Sequence, residues 1–139
     1  MSDEDRPSVS RERFEAFLGA LNSRDFGALD ALLTSEVAFQ SLVGGSEGAE
    51  PYSGVEGLRD WANEVDAVWE DWHQEIVEFR EVSRDQAVMI LRATGRARAS
   101  GVPLDTLSGN VLTWRNDKGW EVVAYTDPRE AFEAVGLPE

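Results

Sequence analysis

The first half of the chain carries apolar residues three and four positions apart, the spacing of one face of an α-helix. A first stripe runs through Phe14, Phe17, Leu18 and Leu21. A second, short stripe follows Asp25, which is a natural N-cap residue. The third begins at Val55 and comprises Leu58, Trp61, Val65, Val68, Trp69 and Trp72. The pattern therefore predicts three helices, the third with three tryptophans on one face.

The second half of the chain changes from about residue 74 to the β-branched and aromatic preferences of strands. Strands are predicted around 76–79 and over 87–98, 106–115 and 120–126, after a brief earlier strand at 37–39. Gly95 lies inside the second of the four later strands and predicts a β-bulge there. A closing helix begins with Asp127 as N-cap and Pro128 at its first position, and Gly136 ends it.

Helices that precede an antiparallel meander and lie on one side of it are typical of an α+β fold. A long curved sheet wrapped on three helices leaves a conical cavity beneath it. We assign residues 1–8 to a disordered tail and residues 9–137 to a single domain. The glycine-rich stretch 44–54 is either a lid over the cavity or a passive surface connection.

Composition and charge narrow the classes of function. The net charge of −14 argues against binding to nucleic acid, which needs clusters of Lys and Arg. No apolar run approaches the length of a membrane span, and no signal-peptide pattern opens the chain. The absence of cysteine excludes disulfides, zinc–thiolate sites and a cysteine nucleophile, and it suits a cytoplasmic protein. With one histidine besides, no transition-metal site is predicted.

Several short segments, in this order and at this spacing over about 125 residues, resemble a SnoaL-like domain of the nuclear-transport-factor-2-like superfamily. The segments are the helix 14–21 with the residues 22–26 that follow it, 52–58, 95–102, 125–131 and 134–137. The resemblance implies a cone-shaped α+β barrel with an internal hydrophobic pocket, usually a homodimer formed through the sheet. It also implies a small apolar molecule as ligand. The superfamily includes polyketide cyclases, ketosteroid isomerases, epoxide hydrolases and dehydratases, as well as members without known activity.

Cyclisation or isomerisation beside a carbonyl group needs an acid/base near neutral pH, and burial in an apolar pocket raises the pKa of a carboxyl group towards that range. Asp127 is one candidate, because SnoaL-like cyclases are similar in carrying an acid/base Asp towards the end of the C-terminal strand region. Its position as a helix N-cap explains it without catalysis. Asp105 and the lone His73 are further candidates, although a solvated turn and a surface junction also explain them.

Large rings and one cation are the candidate ligand contacts, namely Tyr52, Trp61, Trp69, Arg92, Trp114 and Tyr125. Each ring is also explained by core packing. An inward Arg92 would bind a carboxylate or an enolate. The alternative is an outward row of arginines that pairs with Glu75, Glu78 or Glu81 across the sheet.

The chain departs from three activities of the superfamily. Ketosteroid isomerases carry a carboxylate base on the first short strand, where this chain has Gln40 and Ser41. The Asp–Arg–Asp relay of the epoxide hydrolases cannot be assembled from the sequence. Dehydratases of this fold require a pair of histidines, and the chain has one histidine.

Two hypotheses therefore remain. The first is a cofactor-independent, polyketide cyclase-like enzyme that acts on an apolar, carbonyl-bearing molecule. The second is a non-catalytic ligand-binding or dimerisation module of the same fold. A carboxylate buried in the cone would favour the enzyme, whereas a cone filled by tryptophan rings would count against it.

Overall fold

The computed structural model of the protein describes residues 9–41, 52–115 and 118–137. Its elements follow the predicted order, with a two-residue strand added before the third helix. They are α1 (Val9–Ser23), α2 (Phe26–Leu32), β1 (Leu33–Ser41), β2 (Tyr52–Ser53), α3 (Gly54–Val68), β3 (Trp69–Ser83), β4 (Gln86–Ala97), β5 (Pro103–Arg115), β6 (Lys118–Tyr125) and α4 (Pro128–Ala134). The predicted tail and most of the predicted lid, residues 44–51, lie outside the described residues.

The six strands form one sheet in the order β2-β1-β6-β5-β4-β3. β1 runs parallel to β6, and the other neighbouring pairs are antiparallel. The face of the sheet that packs against α1 and α3 is called the inner face below, and the face that packs against α4 is called the outer face. This arrangement confirms the predicted α+β fold. None of the helices in the described ranges is long and apolar enough to cross a membrane.

The central strand β4 shows how the two faces are built. Met89 and Leu91 join the large cluster with the helices on the inner face, while Val88 and Ile90 join the α4 cluster on the outer face. Alternate residues of a strand point to opposite faces, so a strand covered on both sides is apolar at successive positions. From residue 92 onward the outer positions become polar, beginning with Arg92.

The prediction of three tryptophans on one helix is wrong. α3 ends at Val68, and Trp69 and Trp72 belong to the edge strand β3. Trp69 has extended backbone angles and pairs with Ala97 of β4, so hydrogen bonding to the sheet overrides the helical spacing of the side chains. Trp72 still reaches the same core as Trp61, with the ring centroids 5.2 Å apart.

The bulge predicted at Gly95 lies instead on the partner strand. β4 pairs with β5 without a register shift. The β3–β4 register shifts at three points, each with one extra residue on β3, and the first of these points lies opposite Gly95. A Cβ atom at Gly95 would approach the Glu70 carbonyl oxygen to 3.2 Å, so the glycine admits the bulged strand.

The C-terminal helix begins and ends as the sequence predicts. Asp127 accepts a hydrogen bond from the backbone N–H of Arg129, at 3.0 Å, and Pro128 opens α4. Gly136 follows the helix with a φ of +74°, the left-handed conformation that glycine adopts without strain. A Cβ atom at Gly109 would lie 2.6 Å from the Cβ of Ala131, so the bare backbone of β5 lets α4 pack directly on the outer face.

Candidate functional site

A small internal cavity lies between α1 and the inner face of the sheet, with a volume of about 20 Å³. Its wall is mostly apolar and comes from α1, β1, β4 and β6, while α3 contributes Trp61. The polar side chains in the wall are those of Gln74 on β3 and Asn110 on β5. A space of this size holds about one water molecule, because a water needs roughly 10–15 Å³ by the same kind of measure.

Aromatic rings fill the rest of the interior. Trp61 packs edge-on against Phe39 at 5.1 Å and against Trp72 at 5.2 Å between ring centroids. Phe14 does the same with Phe79 at 5.2 Å and with Trp114 at 5.9 Å. These edge-to-face contacts stabilise the core beyond simple burial. Within the part of the chain that the structure describes, these rings surround a small void, and a larger ligand at this void has to move them.

Hydrogen bonds fix the two amide residues in the cavity wall. The side chain of Asn22 on α1 holds the backbone of Gln74 through two hydrogen bonds, of 2.8 Å to the carbonyl oxygen and 3.1 Å from the N–H. Asn110 Nδ2 donates to Ser108 Oγ at 3.1 Å and contacts the Met89 carbonyl oxygen at 3.5 Å. Asn110 and Gln74 are only 4% and 7% exposed.

Some polar groups at the cavity have no partner within the described residues. No hydrogen bond within the described residues involves the side-chain amide of Gln74. Nε1 of Trp61 is buried without a partner there as well, as are the indole nitrogens of Trp72 and Trp114 elsewhere in the core. Buried polar groups without partners cost free energy, so such groups are unusual unless a water or a ligand satisfies them. The wall therefore combines apolar surface with neutral hydrogen-bonding groups, and no charged side chain of the described residues belongs to it.

The three predicted catalytic residues lie away from this cavity. Asp127 caps α4, the helix on the outer face, and Arg129 lowers the pKa of the Asp127 carboxyl group through its side-chain and backbone hydrogen bonds. Asp105 is exposed on β5, and His73 is exposed on β3. Asp105 and His73 lie on strands that β4 separates, and Asp127 lies at the start of α4.

Asp105 and Arg92 do meet, but on the outer face. The guanidinium group of Arg92 binds both carboxylate oxygens of Asp105, at 2.8 and 2.6 Å, and Glu75 lies 3.7 Å from the same group. The hydrogen bonds from Arg92 lower the pKa of Asp105. The outward pairing of Arg92 with an acidic residue of β3 is therefore what the structure shows, and an inward anion site at Arg92 is wrong.

The five predicted ring contacts are distributed over the fold. Trp61 lines the cavity, whereas Trp114 is buried in the core and Trp69 packs at its edge. Tyr125 packs with the α4 cluster on the outer face. Tyr52 donates a hydrogen bond from its hydroxyl to Glu64, and that bond is the main cause that raises the pKa of Tyr52 to about 12. Trp61 is thus the predicted contact that the structure places at the cavity.

A second, open groove of about 470 Å³ lies on the surface between α2 and the start of α3. Arg59 covers the ring of Phe26 there, with its guanidinium carbon 4.3 Å from the ring centroid. The carboxylates of Asp30 and Glu56 also line the groove. Across the described ranges, no group of three or more His, Cys, Asp or Glu side chains is placed to hold a metal ion.

The sequence profile of the SnoaL-like domain family matches residues 14–122, most of the chain. The chain belongs to this family. No curated protein matches the chain in a sequence comparison. The match agrees with the resemblance carried by the short segments, and it fixes the family without fixing an activity, since function depends on the site rather than the fold.

Solved structures share the fold of this SnoaL-like protein at low identity. A hypothetical protein with a ketosteroid isomerase-like fold from Catenulispora acidiphila, in complex with trimethylamine, is 19% identical with a TM-score of 0.71, over 91% of this chain and 94% of that chain. A putative polyketide cyclase from Xanthomonas campestris pv. campestris is 13% identical with a TM-score of 0.67, over 91% and 96%. A Mycobacterium tuberculosis protein in complex with estradiol-17beta-hemisuccinate is 13% identical with a TM-score of 0.70, over 87% and 95%.

Sequence reasoning missed the two amides of this SnoaL-like site, Gln74 and Asn110. A signal for Gln74 exists, because it shares strand parity with Trp72 and Ile76, which both pack in the inner core. A polar residue between two inward apolar residues of a strand is itself inward. Asn110 has the same parity as Leu112 and Trp114, so the same argument identifies it. The search for carboxylates and histidine passed over both neutral amides.

Proposed function

We propose that this SnoaL-like protein binds a small, uncharged and largely apolar molecule in the cone between α1 and the inner face, as a binding module without acid/base catalysis. The cavity wall carries the proposal: it is apolar apart from two neutral amides and one indole. A binding pocket that is mostly apolar, with a few placed polar groups, is the usual form of a small-molecule site. None of the described side chains in this wall can exchange a proton near neutral pH.

Ligand entry has to displace aromatic side chains, because the void of about 20 Å³ is far smaller than a typical ligand pocket of roughly 300–1,000 Å³. Trp61 is the wall residue with the largest ring, and it contacts Trp72 on the edge strand. Movement of these two rings would enlarge the void into the core. Binding is therefore expected to change the environment of Trp61.

Tryptophan fluorescence and thermal denaturation test the binding function. We expect apolar, uncharged ring compounds to change the tryptophan emission and to raise the melting temperature, since a ligand that binds the folded state stabilises it. Trp61→Phe should remove most of the emission change. Trp120→Phe is the matched control, because Trp120 stacks with Arg115 outside the cavity wall, and it should retain the change. The absence of both effects with every compound would refute the proposal.

Cyclase-like chemistry with Asp127 as acid/base is the second candidate. It is supported by the family and by the similarity of fold to a putative polyketide cyclase. The position of Asp127 at the start of α4 and the lowered pKa of its carboxyl group favour a capping role instead. Asp105 and His73 remain weaker candidates of the same kind, since both are exposed.

Asp127→Asn separates these two functions. If Asp127 is a cap, the variant should keep the melting temperature within about 1–2 °C of the wild type, because Asn caps a helix about as well as Asp, and it should leave ligand binding unchanged. If it is an acid/base, turnover of an aromatic polyketide should be lost while binding remains. Turnover by the wild-type protein that disappears in the variant would support the enzyme over the binding module.

We also propose a homodimer formed through the outer face of the sheet. Leu107 lies beside Arg92 on this face with 45% of its surface exposed, and Val77 on β3 is 56% exposed. Apolar side chains exposed on one face of a sheet supply the apolar surface that an interface between subunits buries. Leu107→Asp should convert a dimer to a monomer in size-exclusion chromatography with light scattering, and a wild-type monomer would refute the dimer. The cytoplasmic location stays a prediction.

A further inference from the structure

The orientation of the Asn110 amide determines which chemical group the cavity accepts. Asn110 Nδ2 contacts two backbone carbonyl oxygens, of Met89 and of Ser108, each at 3.5 Å. Carbonyl oxygens only accept hydrogen bonds, so the nitrogen must occupy that side of the amide. The Ser108 hydroxyl, 3.1 Å from Nδ2, then accepts as well. Oδ1 of Asn110 is left as an acceptor in a residue that is 4% exposed.

Hydrogen-bond donors without a partner lie in the cavity wall together with the acceptor Asn110 Oδ1. The side-chain amide of Gln74 supplies N–H groups, and no hydrogen bond within the described residues uses them. Nε1 of Trp61 is fully buried without a partner there, so it becomes a further donor when the ring moves to admit a ligand. A ligand that satisfies both sides has to donate a hydrogen bond to Asn110 and to accept one from Gln74 or Trp61. A hydroxyl group does both with a single atom, whereas a ketone only accepts.

We infer that the cavity selects an uncharged hydroxyl-bearing ring compound, such as a phenol, over the corresponding ketone or carboxylate. This inference rests on the proposed binding function and names the chemical class of its ligand. The hydroxyl hydrogen is donated to Asn110 Oδ1, and the hydroxyl oxygen accepts from the Gln74 amide or the Trp61 indole. A carboxylate is rejected because no cationic side chain of the described residues lines the cavity to offset its desolvation. This ligand differs from the carbonyl-bearing molecule that we expect from the sequence, because it carries a hydroxyl group instead.

Four single-ring probes that differ in one group test the inference: toluene, phenol, acetophenone and benzoate. Binding is followed by NMR titration of the tryptophan indole and side-chain amide resonances. A satisfied neutral hydrogen bond in a buried site is expected to tighten binding about tenfold. Phenol should therefore bind about tenfold more tightly than toluene or acetophenone, and benzoate more weakly than all three.

Two variants test whether Asn110 causes the preference for phenol. Asn110→Leu should reduce the affinity for phenol about tenfold and the affinity for toluene much less, because it removes the acceptor and keeps the branched shape of the side chain. Gln86→Leu is the control: Gln86 is also an amide of the same sheet, but it bonds to Thr113 outside the cavity wall. This control should retain the wild-type preference for phenol.

The results of the titrations distinguish a failure of the hydroxyl preference from a failure of the proposed ligand-binding function. If toluene and acetophenone bind as tightly as phenol, the binding function stands and the preference for a hydroxyl group is wrong. If benzoate binds best, the neutral character of the site is wrong. If none of the four probes shifts any resonance at millimolar concentration, the binding function itself fails and the inference falls with it. The wild-type titrations decide between these results even if Asn110→Leu does not fold.

Discussion

The two faces of the sheet differ in kind. The inner face carries interlocked aromatic rings, two buried amides and a void of about 20 Å³. The outer face carries the α4 helix at one end and ion pairs such as Arg92–Asp105 at the other. The acidic catalytic candidates Asp105 and Asp127 lie here, and each is paired with an arginine in contact with solvent. The neutral face is the one with unpartnered hydrogen-bonding groups.

Titratable residue types are a poor guide to this site. Asp105 and Asp127 are both held by arginines that lower the pKa of their carboxyl groups, the opposite of what a neutral-pH acid needs. An amide does not titrate, so the inner face keeps the same charge at all physiological pH values. Recognition there depends on hydrogen-bond direction and on shape.

The largest expected difference between the faces is in packing. Phe14 is fully buried and contacts Phe79 and Trp114, so Phe14→Ala should lower the free energy of unfolding by about 3–5 kcal/mol. Val77→Ala on the outer face should change it by less than about 0.5 kcal/mol, because Val77 is more than half exposed. Urea denaturation measures both. Similar losses in the two variants would contradict the difference in burial between Phe14 and Val77.

An intermediate effect is expected where α4 meets the outer face. Gly109→Ala would place a Cβ atom 2.6 Å from Ala131 and 2.9 Å from Pro128, so α4 must shift at a cost of about 1–3 kcal/mol. Gly19→Ala on α1 meets no atom within 4 Å and should stabilise the protein by about 0.5–1 kcal/mol through helix propensity. Thermal denaturation of the two variants should therefore move in opposite directions.

The smallest effect concerns two ion pairs. Arg24 donates two hydrogen bonds to Asp66, of 3.1 and 2.7 Å, and these lower the pKa of Asp66 as Arg92 lowers that of Asp105. A lowered folded-state pKa means that the stabilisation is present above the unfolded pKa of about 3.9 and is lost as the pH falls through the folded value. Asp66→Asn and Asp105→Asn should each flatten the loss of stability below about pH 4.

Salt should distinguish these two pairs. Arg24 is 22% exposed, whereas Arg92 is 45% exposed, so added salt screens the Arg92 pair more effectively. In about 1 M NaCl the effect of Asp105→Asn should nearly vanish while part of the effect of Asp66→Asn remains. Equal salt sensitivity would show that the Arg24–Asp66 pair is as solvated as the outer one.

Local sequence determined a large part of this fold. Asp25 and Asp127 cap helices because each carboxylate reaches the backbone N–H groups that follow it, and Gly136 ends α4 because it adopts a positive φ. The apolar stripe of α1 fixed its buried face. These features depend on residues a few positions apart, so they can be read from the chain alone.

Only the tertiary structure decided where α3 ends and which side chains enter the cavity. Trp69 and Trp72 fit a helical stripe as well as a strand, and pairing with β4 resolved the choice. The extra residues on β3 change its parity relative to β4, and one such change reverses the inward and outward sets. Strand pairing joins residues far apart in sequence, so no local pattern specifies it. For that reason the sequence alone determined the family and the caps, while the neutral amide site at Gln74 and Asn110 came from the sheet.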